Sequence, residues 1–319
     1  KLSSNGMTLM GSTYVGGSAN DGINYRIAGG IYNSVASYDS LTSNYGDQFR
    51  GEIMLDSFNN VLIASSTRSS NFPVLNSFQP ALGGQQDGIV FKLAADFSSL
   101  IWSTYFGGSA NDACYSVKLD SSYNVLVAGG TSSTNIPGAA GGLNPAYMGG
   151  KTDGFVFKMT PDGSALTQST YIGTAAYDQT IFVEIDRWDN VYIVGVTNGV
   201  MPVTSGVYSN PGSGQYIQKL NPALNAIDYA TVFGNGSGIP NISPSAFLVD
   251  VCGNVYVSGW GANILQPTPL SGMPVTSDAF QLTPANGFDF YLFVLERDAA
   301  SLLYGSYLGG ASAQEHVDG

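Results

Sequence analysis

The chain carries little that could do acid–base or metal chemistry. Its 319 residues include one histidine, His316, and two cysteines, Cys114 and Cys252. A serine-type relay needs an imidazole held between a nucleophile and a carboxylate, and a structural zinc needs four nitrogen or sulfur ligands. A single histidine beside Glu315 and Asp318 supplies neither, and no G-x-S-x-G elbow is present. The two cysteines occupy different places in the repeat described below, so free thiols are expected rather than a disulfide. Glycoside hydrolysis needs only two suitably spaced acids. The glutamates are Glu52, Glu184, Glu296 and Glu315, and no spacing among them selects a pair. The chain therefore reads as non-enzymatic and without a cofactor.

Calcium takes about six to eight oxygen ligands, usually with several carboxylates converging. The recurring D-x-x-x-N segments each offer one Asp and one Asn, and only the third adds a second acid, pairing Asp186 with Asp189. Those two are the weak calcium candidates. Turn capping is the expectation for all four segments, because Asp and Asn side chains bond their own backbone and tolerate left-handed geometry.

These segments belong to an internal repeat, the feature that decides the architecture. LDSFNNV at 55–61, LDSSYNV at 119–125, IDRWDNV at 185–191 and VDVCGNV at 249–255 superpose without gaps. Asp56, Asp120, Asp186 and Asp250 are 64, 66 and 64 residues apart, each followed by its Asn at 60, 124, 190 or 254, namely Asn60, Asn124, Asn190 and Asn254. A second motif, Ser103-Thr104-Tyr105 before a Gly-Gly turn, recurs at Ser12-Thr13-Tyr14, Ser169-Thr170-Tyr171 and Gly305-Ser306-Tyr307. Seven residues after three of these tyrosines stand Asp21, Asp112 and Asp178, expected to pin the loop. A third motif, DGIVFK at 87–92, returns as DGFVFK at 153–158. Repeats are drawn at approximately 1–91, 92–157, 158–218 and 219–293, with a partial one at 294–319. The phase places both chain ends inside repeats, which is what a segment of a longer array would show.

Each repeat alternates strand-like runs with turn signals. Residues 115–119 and 125–128 flank the D-x-x-x-N turn, and 154–159 and 165–171 flank Pro161-Asp162-Gly163. Two hairpins per repeat predict a four-stranded antiparallel unit, few helices, and one all-β array over 1–319. Radial packing of such units into β-propeller blades is favoured over a linear solenoid.

Charge narrows the partners. Eleven Lys and Arg stand against 23 Asp and Glu, a net charge of −12, with no basic cluster. Nucleic acid and anionic membrane surfaces are disfavoured, and no apolar run approaches the roughly 20 residues needed to cross a bilayer.

The order DGFVFK, DGSALTQSTYIG, VEIDRWDNVYIVGVT and MPVTSG resembles the bacterial SBBP beta-propeller repeat, with FPV at 72–74 and MPVT at 273–276 matching its closing segment. The stretch 307–319 is similar to one in large Bacteroidota surface proteins that carry gliding-motility-associated sorting domains. That resemblance implies a secreted, cell-surface protein exported through the type IX system, and it brings no catalytic residues with it. The chain departs from the pattern at Val294, where lysine is lost, and at Val232, where tyrosine is lost.

The expected function is a non-enzymatic scaffold or adhesin module that displays loops to an extracellular glycan, a protein or further copies of itself. The alternatives are a self-assembling filament or sheath subunit and a polysaccharide-acting propeller enzyme. Insertions are where binding usually resides, and the first repeat has one near 31–48. Tyr25, Tyr32, Tyr38 and Tyr45 cluster in or beside it and are the aromatic candidates for contact.

Overall fold

Runs of alternating apolar residues between Asp/Asn and Pro/Gly turns leave each segment one choice, a short strand paired with its sequence neighbour. A computed structural model describes residues 1–23, 25–27, 35–38, 41, 50–261, 270–285 and 289–311. It contains four four-stranded antiparallel sheets, each a meander of consecutive strands. A short hairpin, β1 (Tyr25–Ile27) with β2 (Val35–Tyr38), precedes them. Sheet 1 is β3 (Glu52–Leu55), β4 (Val61–Thr67), β5 (Asp87–Leu93) and β6 (Leu100–Phe106). Sheet 2 is β7 (Asp112–Leu119), β8 (Val125–Thr131), β9 (Asp153–Met159) and β10 (Leu166–Ile172). Sheet 3 is β11 (Asp178–Ile185), β12 (Val191–Thr197), β13 (Gln215–Leu220) and β14 (Ile227–Phe233). Sheet 4 is β15 (Ile242–Val249), β16 (Val255–Gly261), β17 (Phe290–Leu295) and β18 (Leu302–Leu308). Among the described residues the helical content is one 3-10 turn, Arg297–Ala299, and no helix is long and apolar enough to cross a membrane. The repeat boundaries drawn from sequence at 91, 157, 218 and 293 fall inside the third strand of each sheet. They mark the period, and the sheets set its phase.

The turns form as their residues dictate. In all four D-x-x-x-N turns the Asp carboxylate accepts the N–H groups two and four residues on and the Asn side-chain amide, all at 2.8–3.0 Å. The residue before the Asn is left-handed in every copy, at Asn59, Tyr123, Asp189 and Gly253. The lysine of the third motif then reaches back across the sheet to the same carboxylate, Lys92 to Asp56 and Lys158 to Asp120, each at 2.7 Å. Lys219 stands 4.0 Å from Asp186. In sheet 4 Val294 holds that place, and the hydroxyl of Tyr256 bonds Asp250 instead at 3.1 Å.

Sheets pack face to face through their first strands, called leading strands here. β7 lies against β3 and β4, β11 against β7 and β8, and β15 against β11 and β12. The core between sheets is aromatic and aliphatic. Phe106 stacks on Phe157 at 4.0 Å between sheets 1 and 2, and Phe233 on Phe293 at 4.4 Å between sheets 3 and 4. Each such contact removes large apolar area from water and fixes sheet spacing.

In sheets 1, 2 and 4 the tyrosine of the second motif ties the sheet to the segment that follows its second strand; sheet 3 has Val232 in that place. Tyr105 donates to the Ser69 carbonyl and accepts from Phe72 N–H, at 2.6 and 3.1 Å. Tyr171 does the same with Ser133 and Ile136, and Tyr307 accepts from Met273 N–H.

Candidate functional site

Three of the four leading strands carry a β-bulge at the same level. The extra residue is Tyr115 in β7, Ile181 in β11 and Ser245 in β15. In sheet 1 the bulge has grown into the first-repeat insertion. Asp21 bridges Thr67 and Gly22 N–H bonds Ser66, as strand pairing requires, and pairing resumes only at Glu52 opposite Ala64. Residues 23–51 thus stand where sheet 2 has only Cys114 and Tyr115. That refines the sequence placement at 31–48, because the excursion leaves and rejoins one strand. Its Leu41 is fully buried among Ala113, Tyr115, Ile181 and Val196. The Leu41 carbonyl accepts from Tyr115 Oη at 3.3 Å and from Gln179 Nε2 at 2.6 Å. Bulges re-aim side chains, and here those at Tyr115 and Ile181 face Leu41 of the insertion.

Beyond the Leu41 contacts the leading strands carry an ion network. Glu52 Oε2 accepts from Ser116 Oγ at 2.5 Å and Val117 N–H at 2.7 Å, while Oε1 meets Lys118 Nζ. Lys118 also lies 3.5 Å from Glu184. Burial pushes the Glu184 carboxyl above its ordinary value and the Glu52 charge adds to the push, while Lys118 opposes both. Two of the four glutamates are therefore brought together across three sheets, which their spacing in the chain gave no means of seeing. Arg50 completes the group. It donates to the Pro244 carbonyl at 3.1 Å and lies over the Phe182 ring at 5.6 Å, joining the start of sheet 1 to sheets 3 and 4.

Beyond the ion network the leading strands end in the D-x-x-x-N turns, which stand side by side. Asp189 accepts from Ser121 N–H and Oγ at 2.8 and 2.6 Å, and Ser57 Oγ bonds Tyr123 Oη at 2.8 Å. The calcium candidates Asp186 and Asp189 thus face different partners. The first holds its own turn and the second the neighbouring one. No group of three or more His, Cys, Asp or Glu is placed to hold a metal among the described residues.

Three consecutive turns each carry an exposed aromatic that the turn geometry does not require: Phe58 at 73%, Tyr123 at 44% and Trp188 at 48% exposure. The Phe58 and Tyr123 rings are 6.5 Å apart, and Arg187 and Arg297 lie over Trp188 at 4.1 and 5.5 Å. Tyr123 is held at φ 63°, where the other copies have Asn, Asp and Gly. A bulky residue in left-handed backbone is strained, and strain that returns no core contact marks a place to look for function. The signal was present in the sequence as an aromatic between Asp and Asn. It is unreadable there, because the same letters fit any loop.

The insertion tyrosines are placed less fully. Tyr25 and Tyr38 are cross-strand partners in the β1–β2 hairpin, and Tyr32 and Tyr45 lie outside the described residues, as does His316. Cys114 is buried and Cys252 exposed, both as free thiols.

The opposite ends of the sheets hold buried carboxylates. Asp112 accepts from Gly108 N–H at 2.8 Å, Ser133 Oγ at 2.7 Å and the Thr131 hydroxyl, and Asp178 accepts from Thr174 N–H at 2.7 Å. A side chain added at Gly107 would meet both Asp87 and Asp112 at 2.7 Å, and one at Gly173 would meet Asp153 at 2.6 Å and Asp178 at 3.1 Å. Burial raises Asp87 to about 6 and Asp112 and Asp153 to about 7. Between sheets 3 and 4 the flanking pair is Gln215 and Asn241, which carry no charge. These pairs pin Gly turns and lie inside the junctions.

Comparison with protein-family models finds no match for this chain, and comparison with curated proteins finds none either.

Proposed function

We propose that the four sheets are blades of a β-propeller of the SBBP repeat type, and that the protein is a non-enzymatic display module of an exported, cell-surface protein. In this reading its turn face binds an extracellular glycan. Side-by-side leading strands and the reach of Arg50 from sheet 1 to sheet 4 support radial packing. The observation that carries the function is the division of labour among the repeated residues. The copied Asp, Asn, Lys and Tyr are consumed in turns and sheet ties, while the uncopied Phe58, Tyr123 and Trp188 stand exposed at one end. Aromatic faces supply contact area to the apolar faces of sugar rings at little entropic loss, and Arg187 and Arg297 supply polar groups beside them.

A polysaccharide-acting enzyme is the second reading, favoured by Glu52 and Glu184 sharing Lys118. Two neighbouring carboxyls, one of them raised by burial, are the groups a glycosidase needs. Lys118 and the Ser116 and Val117 donors occupy both acids here, which is the reason for preferring display.

Binding of the purified chain to a panel of polysaccharides, with release of reducing ends measured in parallel, separates the readings. Binding without release is expected. Tyr123→Gly should weaken it several-fold with little change in stability, since the relief of left-handed strain offsets the entropic cost of glycine and the lost contacts with Ser57 and Phe58. Release of sugar that disappears in Glu184→Gln would establish the enzyme instead.

A further inference from the structure

Lys92, Lys118 and Lys158 are consumed in ion pairs within or between sheets, and Arg50 is bonded to the Pro244 carbonyl. Three other cations gather beside Trp188, and each departs from what its counterparts in the repeat do. Arg187 occupies a turn position that holds Ser57, Ser121 and Val251 in the other copies. It is exposed, lies 4.1 Å over the Trp188 ring, and makes no ion pair among the described residues. A contact with an aromatic face consumes none of the five guanidinium N–H donors.

Arg297 comes from the β17–β18 turn of sheet 4 and stands 5.5 Å from the same ring. The corresponding turns of sheets 1, 2 and 3 each have one left-handed residue, Phe97, Gly163 and Leu224, whereas here Asp298 and Ala299 are both left-handed at φ 55°. Backbone strain in an exposed turn is a mark of function. Gly253 leaves room for the arginine stem, since a Cβ there would meet Arg297 Cγ at 3.1 Å, and Arg297 N–H donates to Asn254 Oδ1 at 3.1 Å. Lys219 is the third cation. Its counterparts stand 2.7 Å from the turn Asp of their own sheet, but Lys219 is drawn off to 4.0 Å from Asp186 and lies 3.2 Å from Asp298 Oδ1, with Asp228 at 3.9 Å. Arg297 Nε takes the other oxygen of that carboxylate, Asp298 Oδ2, at 3.4 Å. One half-exposed carboxylate thus sits between two cations, with a third and a half-exposed indole alongside.

We propose that this corner of the turn face is a subsite for an acidic sugar, whose ring lies on Trp188 and whose carboxylate is taken by Arg187 and Arg297. The proposal rests on the reading of the turn face as a glycan-binding surface and names the class of its ligand. Guanidinium forks match a carboxylate through paired N–H bonds, and an indole accepts the apolar face of a sugar ring. A neutral sugar would leave the cations to Asp298 and draw nothing from them. With a net charge of −12 the chain as a whole repels long polyanions. The attraction is local and screened within about 10 Å, so the ligand is a short or terminal acidic unit.

Trp188 is exposed while Trp102 and Trp260 are buried, so tryptophan fluorescence reads this site. The probes are trigalacturonic acid and its methyl ester, alike in ring shape and different in charge. In dilute buffer at pH 7 the acid is expected to bind about tenfold more tightly than the ester. Arg187→Gln should remove most of that preference. Asp298→Asn frees Arg297 and Lys219 and keeps a residue that tolerates left-handed backbone, so it should tighten the acid several-fold and leave the ester unchanged. A selective gain of affinity is not a product of misfolding. Equal binding of acid and ester, binding of neither, or a preference indifferent to both substitutions would overturn the acidic subsite. The display reading falls with it only if the polysaccharide panel is also unbound. Preference for a sulfated trisaccharide over the uronate would assign the cations to a sulfate ester and overturn the proposal equally.

Discussion

Alanine at Asp120 should destabilise the protein far more than alanine at Asp250, although both cap the same turn. Each carboxylate accepts two backbone N–H groups and an Asn amide at 2.8–2.9 Å. Losing that cap costs about 1–2 kcal/mol by analogy with helix caps. At position 120 the substitution also strands Lys158, whose side chain is only 14% exposed and whose ion-pair partner, at 2.7 Å, is Asp120. Orphaning a buried charge costs roughly 3–5 kcal/mol and breaking an exposed pair about 0–1, so this site should add about 2 kcal/mol. Asp120→Ala is thus expected to lose about 3–4 kcal/mol and Asp250→Ala about 1–2. Urea titrations followed by tryptophan fluorescence measure both, with the m-value checked for constancy. Lys158→Met placed on Asp120→Ala should recover part of the difference, since the orphaned charge is gone. Equal losses at 120 and 250 would refute the reasoning, as would a double variant that is simply additive. Burial alone would raise the Asp120 carboxyl, but the bonds from Lys158 and Asn124 outweigh it and hold the group below 3.8. Its stabilisation is therefore present above that pH and is lost as pH falls through the lower folded value.

The junction carboxylates should act in the opposite sense. Asp87, Asp112 and Asp153 are raised from 3.8 to about 6, 7 and 7, so the stability tied to their protonated forms is full below 3.8 and lost as pH rises through 6–7. Thermal melts should peak near pH 4–5, between the two groups of carboxylates, and Asp112→Asn should flatten the neutral limb; a melting temperature that climbs from pH 5 to 8 would contradict this. Lys118→Met leaves Glu52 and Glu184 facing each other without a cation and should cost about 2 kcal/mol at pH 8 and less at pH 5, because Glu184 then takes up a proton more readily. Leu41→Ala empties a fully buried site and should cost about 2–3 kcal/mol, with proteolysis between 31 and 48 quickened relative to the rest of the chain; equal cleavage in both proteins would show that Leu41 does not anchor the insertion.

The sequence by itself determined the strands, their turns and their grouping. A period near 65 residues, with Asp and Asn bracketing a left-handed position and a turn such as Pro161-Asp162-Gly163 in the second hairpin, points to consecutive antiparallel pairs. Local hydrogen bonding decides such features, and every partner lies within a few residues. The roles of the copied Asp and Asn were legible for the same reason, as was the absence of any sustained helical pattern. What pairs across sheets was not legible. Nothing in the spacing of Glu52, Lys118 and Glu184 predicts that they meet, because their meeting depends on how three leading strands stack. The same holds for Leu41 returning to the bulges at Tyr115 and Ile181, and for Phe58, Tyr123 and Trp188 sharing one end.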